Sequence, residues 1–348
     1  MLKSRRRQEK TIVGLEMDPS HLAVAEVQVN GKIAVTKGAV AELRPGIVRD
    51  GEVADPVALT EELRKLFADG DLSTQVRLGI ANQRIVVRTL DVPPVVDDPK
   101  LLDDLVRAEA PDHIPVPMDE AVLDYQPLGQ VDTPAGPRTR VVIVAVRREM
   151  IDRMVASAHE AGLDVVGIDL SAFAMVRALH ASGSEHAVLY VNLGGLTNVA
   201  VANDTGCLFT RAATGGLESI LQTLTDRRGL TVEHARGWMQ HVGLATPVDQ
   251  IEGEADLVAF VRQALEDGVH TIADTVRNSL NFYRMQESAE TVDRAVLTGP
   301  AVAIPGFVER LSEKLQLPVT GSVVAGSSEG ADLGRLTVAA GLAVEATP

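Results

Sequence analysis

The chain carries one cysteine, Cys207, in 348 residues. A single thiol excludes an internal disulfide and a cysteine-built zinc site, and it suits a reducing compartment. Aromatic residues are nearly as scarce, at 3%, so valine, alanine and leucine must fill the core. Long apolar runs are missing too. The longest, Val141 to Val146, is far shorter than the roughly 20 residues of a membrane-crossing helix. The eight histidines are scattered and read as surface or packing positions. No residue stands out as a metal ligand or a catalytic group.

What is abundant is acid. The net charge is -15, yet residues 1–10 (MLKSRRRQEK) hold five bases and one acid, leaving -19 on the rest. A body so acidic repels nucleic acid. The basic decapeptide lacks the apolar centre of a signal peptide, and two readings of it stay open: a flexible solubilising tail, or a contact with anionic lipid worth about 1 kcal/mol per basic side chain. With 45% hydrophobic and 23% charged residues, the chain reads as soluble, at most peripheral to a membrane, and long enough for two or more domains.

The stretch Tyr190 to Ala202, YVNLGGLTNVAVA, interrupts two alternating β-branched runs with Asn192, Gly194, Gly195 and Thr197. It reads as strand, tight turn, strand. Glycines at such a turn let backbone N–H groups approach an anion, although a plain hairpin needs them equally for its φ angles. A second copy lies at Val13 to Val27, VGLEMDPSHLAVAEV, which places Glu16 on Asn192, Asp18 on Gly194 and Pro19 on Gly195. Two related hairpins predict two related halves with a ligand cleft between them.

Further signals follow in order. Lys32 to Leu43 is strand-like; Asp55-Pro56 caps a helix with Leu59, Leu63, Leu66 and Phe67 on one face; Val76 to Ala81 is a strand. From Ile85 a unit of its own begins: strand, a helical stripe through Leu101, Leu102, Leu105 and Val106, an extended HIPVP, strands at Ala121 to Leu128 and Thr139 to Val146 around a turn-rich VDTPAGP, a helix, and a closing strand at Val165 to Leu170. Ser171 is expected to cap the next helix. Thr214-Gly215-Gly216 precedes another, and is either an anion-binding helix N-terminus or a tight turn. Asp249, Glu252, Glu254 and Asp256 read as a solvated loop before a long helix. Thr298-Gly299-Pro300 and Gly306 bracket the last strand-to-helix turn.

Four stretches, GLEMDPSHLAVAEV, DGEVADPVALTEELRKLF, VRAEAPDHIPVPMDEAVLDYQPL and NSLNFYRMQ, together resemble the type IV pilus assembly protein PilM family, actin-like and related to FtsA. The resemblance runs from about Thr11 to the C-terminus. It implies an α/β, actin-like (ribonuclease H-like, duplicated) two-domain fold, with a first subdomain over 11–84, a small inserted α+β (SHS2-like) subdomain over 85–167, and a second half over 168–348. It also implies a place at the cytoplasmic, inner face of the cell membrane. The implied partners are the N-terminal peptide of a PilN-like membrane protein, which would supply the membrane contact, and other proteins of the pilus platform. Self-association stays open.

ATP and Mg²⁺ between the halves are implied as well, with Glu16, Ser20, Asn192, Gly194, Gly195, Thr197, Gly215, Gly216, Gly299 and Gly306 as the matching positions. Several depart from the family pattern. Glu16 replaces an Asp, Asp18 a Gly, Ala23 a Lys and Asn192 an Asp, so a cation is lost and a carboxylate enters the phosphate cradle. Weak or no ATP hydrolysis is expected, since phosphoryl transfer rests on those charges. The alternatives are an active ATPase and a small-molecule kinase of the same superfamily, for which Asp169 is the one candidate base, though it is better placed to cap the helix at Ser171.

Overall fold

The computed structural model describes residues 11–286, 288–326 and 332–345; the basic segment 1–10 lies outside the described residues. Strands β1 (Val13–Met17), β2 (His21–Val29) and β3 (Ile33–Glu42) form an antiparallel meander. A short ladder of β4 (Val48–Arg49) and β5 (Glu52–Val53) leads to α1 (Pro56–Leu66). Asp55 caps α1, its Oδ1 accepting the Ala58 N–H at 3.0 Å, and Pro56 opens the first turn, where a missing N–H costs nothing. Strand β6 (Gln75–Ile80) then returns parallel to β1.

Next come β7 (Val86–Val92), α2 (Pro99–Glu109), β8 (Ala121–Thr133) and β9 (Gly136–Arg147), whose strands make a separate sheet in the order β7-β9-β8. Leu102, Val106 and Ala110 pack on Leu90, Val141 and Ile143 to give this unit its own core. Helix α3 (Arg148–Glu160) and strand β10 (Asp164–Leu170) follow.

The second half runs through α4 (Ser171–Leu179), β11 (Ala187–Leu193), β12 (Leu196–Asn203), β13 (Gly206–Thr214), α5 (Leu217–Arg228), α6 (Val232–Val242), α7 (Ala255–Arg284), β14 (Val292–Thr298), α8 (Phe307–Leu315) and β15 (Val319–Gly321). The chain then goes back to the first half, adding β16 (Ala325–Gly326) beside β3 and laying α9 (Leu333–Leu342) across β1 to β3.

The two large sheets have one plan. The first runs β10-β6-β1-β2-β3, extended by β16, and the second β15-β14-β11-β12-β13, each an antiparallel meander continued by two parallel strands. The outer helices cover one face of each sheet: α1 and α3 bury Leu59, Leu63 and Met154 on Leu15 and Leu78, while α5 to α8 bury Leu221, Leu265 and Phe307 on Leu189 and Val191. Between the halves, α4 and α9 fill the remaining space, with Met175 and Leu342 against Tyr190 and Val188.

Four expectations need correction. Strand β10 does not close the appended unit; it pairs in parallel with β6, and Met150, Met154 and Ala158 of α3 lie in the first half's core. The separate three-stranded sheet therefore consists of β7, β8 and β9 without β10. Alternation along β10 marks it as half-covered but says nothing of which sheet it joins. VDTPAGP is mostly strand, since β8 and β9 pair as far as Thr133 and Gly136. Ser171 makes no side-chain cap, and Asp169 instead pairs with Arg177, Oδ2 to Nη2 at 2.5 Å. Asp256, read as loop, lies in the first turn of α7, where a carboxylate favours the helix dipole.

Candidate functional site

The β1–β2 and β11–β12 turns meet in the cleft. The Asp18 carboxylate reaches across and accepts the Gly195 N–H, at 2.8 Å from Oδ1 and 3.0 Å from Oδ2. Its Oδ1 also takes the Ser20 N–H at 2.9 Å and the Ser20 hydroxyl at 2.6 Å, while His21 Nδ1 lies 3.4 Å away. Asp18, Ser20 and His21 are all buried. Burial alone would raise the Asp18 pKa, but the His21 ring and the Ser20 donors outweigh it and hold the group down at about 2. Its contribution to stability is complete above the ordinary value of 3.8 and is lost as the pH falls through about 2.

Both turn glycines are needed for this approach. A Cβ on Gly194 would stand 2.7 Å from Asp18 Oδ2, and one on Gly195 2.6 Å from Oδ1. The sequence left two readings of these glycines, an anion cradle or a plain hairpin; in the structure the Asp18 carboxylate of the chain itself lies against them.

The other candidates separate into two groups. Ser20, Gly194 and Gly299 line a cavity of about 420 Å³, with Leu221, Met239 and Ile304 as apolar wall. The rest are outside its lining. Thr197 Oγ1 donates to the Gly215 carbonyl at 2.7 Å, and the Leu217 N–H at the start of α5 is bonded to the Gly194 carbonyl at 3.1 Å, so the Gly215-Gly216 pair serves a tight turn. Asn192 sits between Asn198 and Thr298, and its Oδ1 would stand 2.5 Å from a Cβ on Gly299. Gly306 has φ +78° and lies against the Ala245 backbone, away from the cavity.

Glu16 is buried in mid-strand between Ala23 and Gly79. Burial first, and then the Asp18 charge, push its carboxyl well above the ordinary range. The charged form of this carboxyl is therefore disfavoured in the folded chain relative to the unfolded one. That cost grows as the pH rises above the ordinary 4.5. Glu16→Gln is therefore expected to stabilise the protein near neutral pH by about 1 kcal/mol, seen as a melting temperature a few degrees higher. The gain should vanish in melts at about pH 4, and an equal gain at both pH values would refute the assignment.

Sequence reasoning missed a charged link beside the cavity, which Arg236 and Arg335 help to line. Glu42 of β3 binds Arg335 of α9, Nη1 to Oε1 at 2.5 Å, and Arg236 of α6. Burial would raise the Glu42 pKa, but the two guanidinium groups lower it. Glu218 lies beside them with its Oε2 buried and without a hydrogen-bond partner, and burial raises its pKa. These residues come from four separate elements, and no local pattern marks them.

A second cavity, of about 560 Å³, opens between β7 and β13. Both are outer strands of their sheets, β7 pairing with β9 and β13 with β12. Arg84, Arg88, Arg147 and Arg211 line it with Phe209 and Phe282, and no acidic residue among the described residues does, in a chain whose net charge is -15.

The family model described as type IV pilus assembly protein PilM matches residues 14–346. The chain belongs to the PilM family. Its role is in type IV pilus assembly. Among solved structures it is similar to a PilM–PilN type IV pilus biogenesis complex, with TM-score 0.76 and 24% identity over 96% of this chain and 97% of that one. It is also similar to the ethanolamine utilization protein EutJ from Carboxydothermus hydrogenoformans (0.54, 16%, covering 95% and 88%) and to MreB 5 of Spiroplasma citri bound to AMPPNP (0.54, 12%, covering 96% and 95%). The fold of this PilM-family chain is thus the actin-like, two-domain α/β fold.

That fold implies a nucleotide and Mg²⁺ in the cleft, and the residues here do not fit the phosphates. The Gly195 N–H and both Ser20 donors are spent on Asp18, and Glu16, a second buried carboxyl whose pKa burial raises, stands two residues before it. No cluster of three or more metal-ligating side chains occurs among the described residues, and none of their helices is long and apolar enough to cross a membrane.

Proposed function

We propose that this PilM-family chain is a scaffold of the inner-membrane pilus platform, holding the N-terminal peptide of a PilN-like membrane protein in the groove between β7 and β13. The arginine- and phenylalanine-lined groove at these two outer strands carries this reading. An extended peptide gains main-chain hydrogen bonds by adding to a sheet edge, and its alternate side chains find the apolar and aromatic floor of the groove. The arginines offer guanidinium forks to its carbonyl or carboxylate oxygens. Through this partner the protein works at the cytoplasmic face of the membrane. The kinase reading loses its candidate base, because Asp169 is committed to Arg177.

Titrating the protein with a synthetic N-terminal peptide of its PilN-like neighbour is expected to give saturable binding, with slowed amide exchange along Val86–Val92 and Gly206–Thr214. No binding at any accessible concentration would sink the proposal.

A further inference from the structure

We propose that Asp18 is a built-in occupant of the anion cradle at the Gly194-Gly195 turn: its carboxylate oxygens take the place of phosphate oxygens, pin the two halves together, and bar phosphate-bearing ligands from that point. Asp18 belongs to the turn between β1 and β2 in the first half, and Gly195 to the turn between β11 and β12 in the second. Their contact is fully buried and satisfies both partners. A ligand that bridges two lobes closes the cleft between them. Here the bridge is part of the chain, so closure depends on no concentration of ligand.

Three donors already converge on Asp18: the Gly195 N–H, the Ser20 N–H and the Ser20 hydroxyl. An incoming phosphate would have to strip these away and then sit beside a displaced, buried carboxylate. Like charges so placed repel strongly in a water-poor site. Steric room is missing as well, because the carboxylate lies within van der Waals contact of where any substituent on either glycine would be. The remaining cavity of about 420 Å³, beyond Ser20 and Gly194, stays open to ligands that carry no phosphate at this point. This inference is independent of the peptide groove, which lies elsewhere.

The test compares the full chain with its Asp18→Gly and Asp18→Asn variants, using inorganic phosphate and Mg·ATP as probes in calorimetry and following the exchange of the Gly195 amide. The unaltered protein should bind neither probe at millimolar concentration and should protect the Gly195 amide without ligand. Asp18→Gly should melt at a lower temperature, bind phosphate or Mg·ATP at least about tenfold more tightly than the unaltered chain, and regain stability when either is added. Asp18→Asn, which keeps an acceptor oxygen without the charge, should expose the Gly195 amide to faster exchange, and it decides the matter if Asp18→Gly does not fold. Binding of Mg·ATP to the unaltered chain with added protection at Gly195 would overturn the inference. So would a folded Asp18→Gly protein with unchanged stability and no affinity for either probe, or Asp18→Asn with unchanged exchange at Gly195.

Discussion

A single methyl group at Gly14 is expected to unfold the protein. An added Cβ there would lie 1.8 Å from the Ala339 carbonyl oxygen and 2.7 Å from the Ala343 nitrogen, both backbone atoms of the closing helix region. Neither can swing aside as a side chain would. Helix α9 would have to lift from β1, uncovering Ala23, Ala25 and Val35 of the core beneath it. The expected cost of Gly14→Ala exceeds about 4 kcal/mol, a large share of the roughly 5–15 kcal/mol that holds an ordinary protein folded. Gly341→Ala should be comparably severe, because its Cβ would meet the Ala174 carbonyl of α4 at 1.9 Å. Gly38→Ala is the control: its new contact, at 2.7 Å, is with the tip of the Leu336 side chain, which can rotate away. Thermal melts of the three variants check this, and a Gly14→Ala protein melting within about 2 °C of the parent would show that α9 does not lie so close to β1.

Reversing two charges in the β7–β13 groove should remove most of its affinity for the PilN-like peptide. Arg88 and Arg211 stand on opposite walls, both exposed, so Arg88→Glu with Arg211→Glu should leave the fold intact. Losing two charge-assisted donors and gaining two carboxylates costs about 2–5 kcal/mol, which is roughly a 30-fold to several-thousand-fold weaker complex. Arg227→Glu, on the exposed side of α5, should leave affinity unchanged. Weakened binding by the double variant should also lose much of its salt dependence. Equal affinity of the double variant and the parent would place the peptide elsewhere.

Those two predictions draw on parts of the molecule that the sequence disclosed to very different degrees. The paired hairpins were legible because β-branched alternation broken by a turn occurs twice in register, and the two sheets do share one order. Asp55 and Pro56 announced α1 through capping chemistry that is local by nature. The sheet that β10 joins was not legible, since β10 finds its partner β6 across the whole intervening stretch of chain. In the cleft, the sequence marked the glycines and the intruding Asp18, but read that carboxylate only as repelling a ligand. That it takes the ligand's own hydrogen-bond donors depends on the distance between two turns far apart in the chain. Glu42, Arg236 and Arg335 had no signal at all, being ordinary surface charges until α6 and α9 bring them together. The groove edges likewise follow from strand order, which a sequence pattern does not encode.

Helix α9 also sets an order of events during synthesis. It follows every other described element in the chain, yet it covers the face of the sheet whose strands β1 to β3 come first. While the ribosome is still adding the second half, that face of the first sheet has no native cover, and its apolar strands are open to wrong pairings. The second half, whose five-stranded sheet is contiguous in the chain from β11 to β15, can complete its own sheet earlier. The part of the molecule made first is thus the part finished last, and a premature stop before Leu333 would release a chain with its opening sheet uncovered on one side.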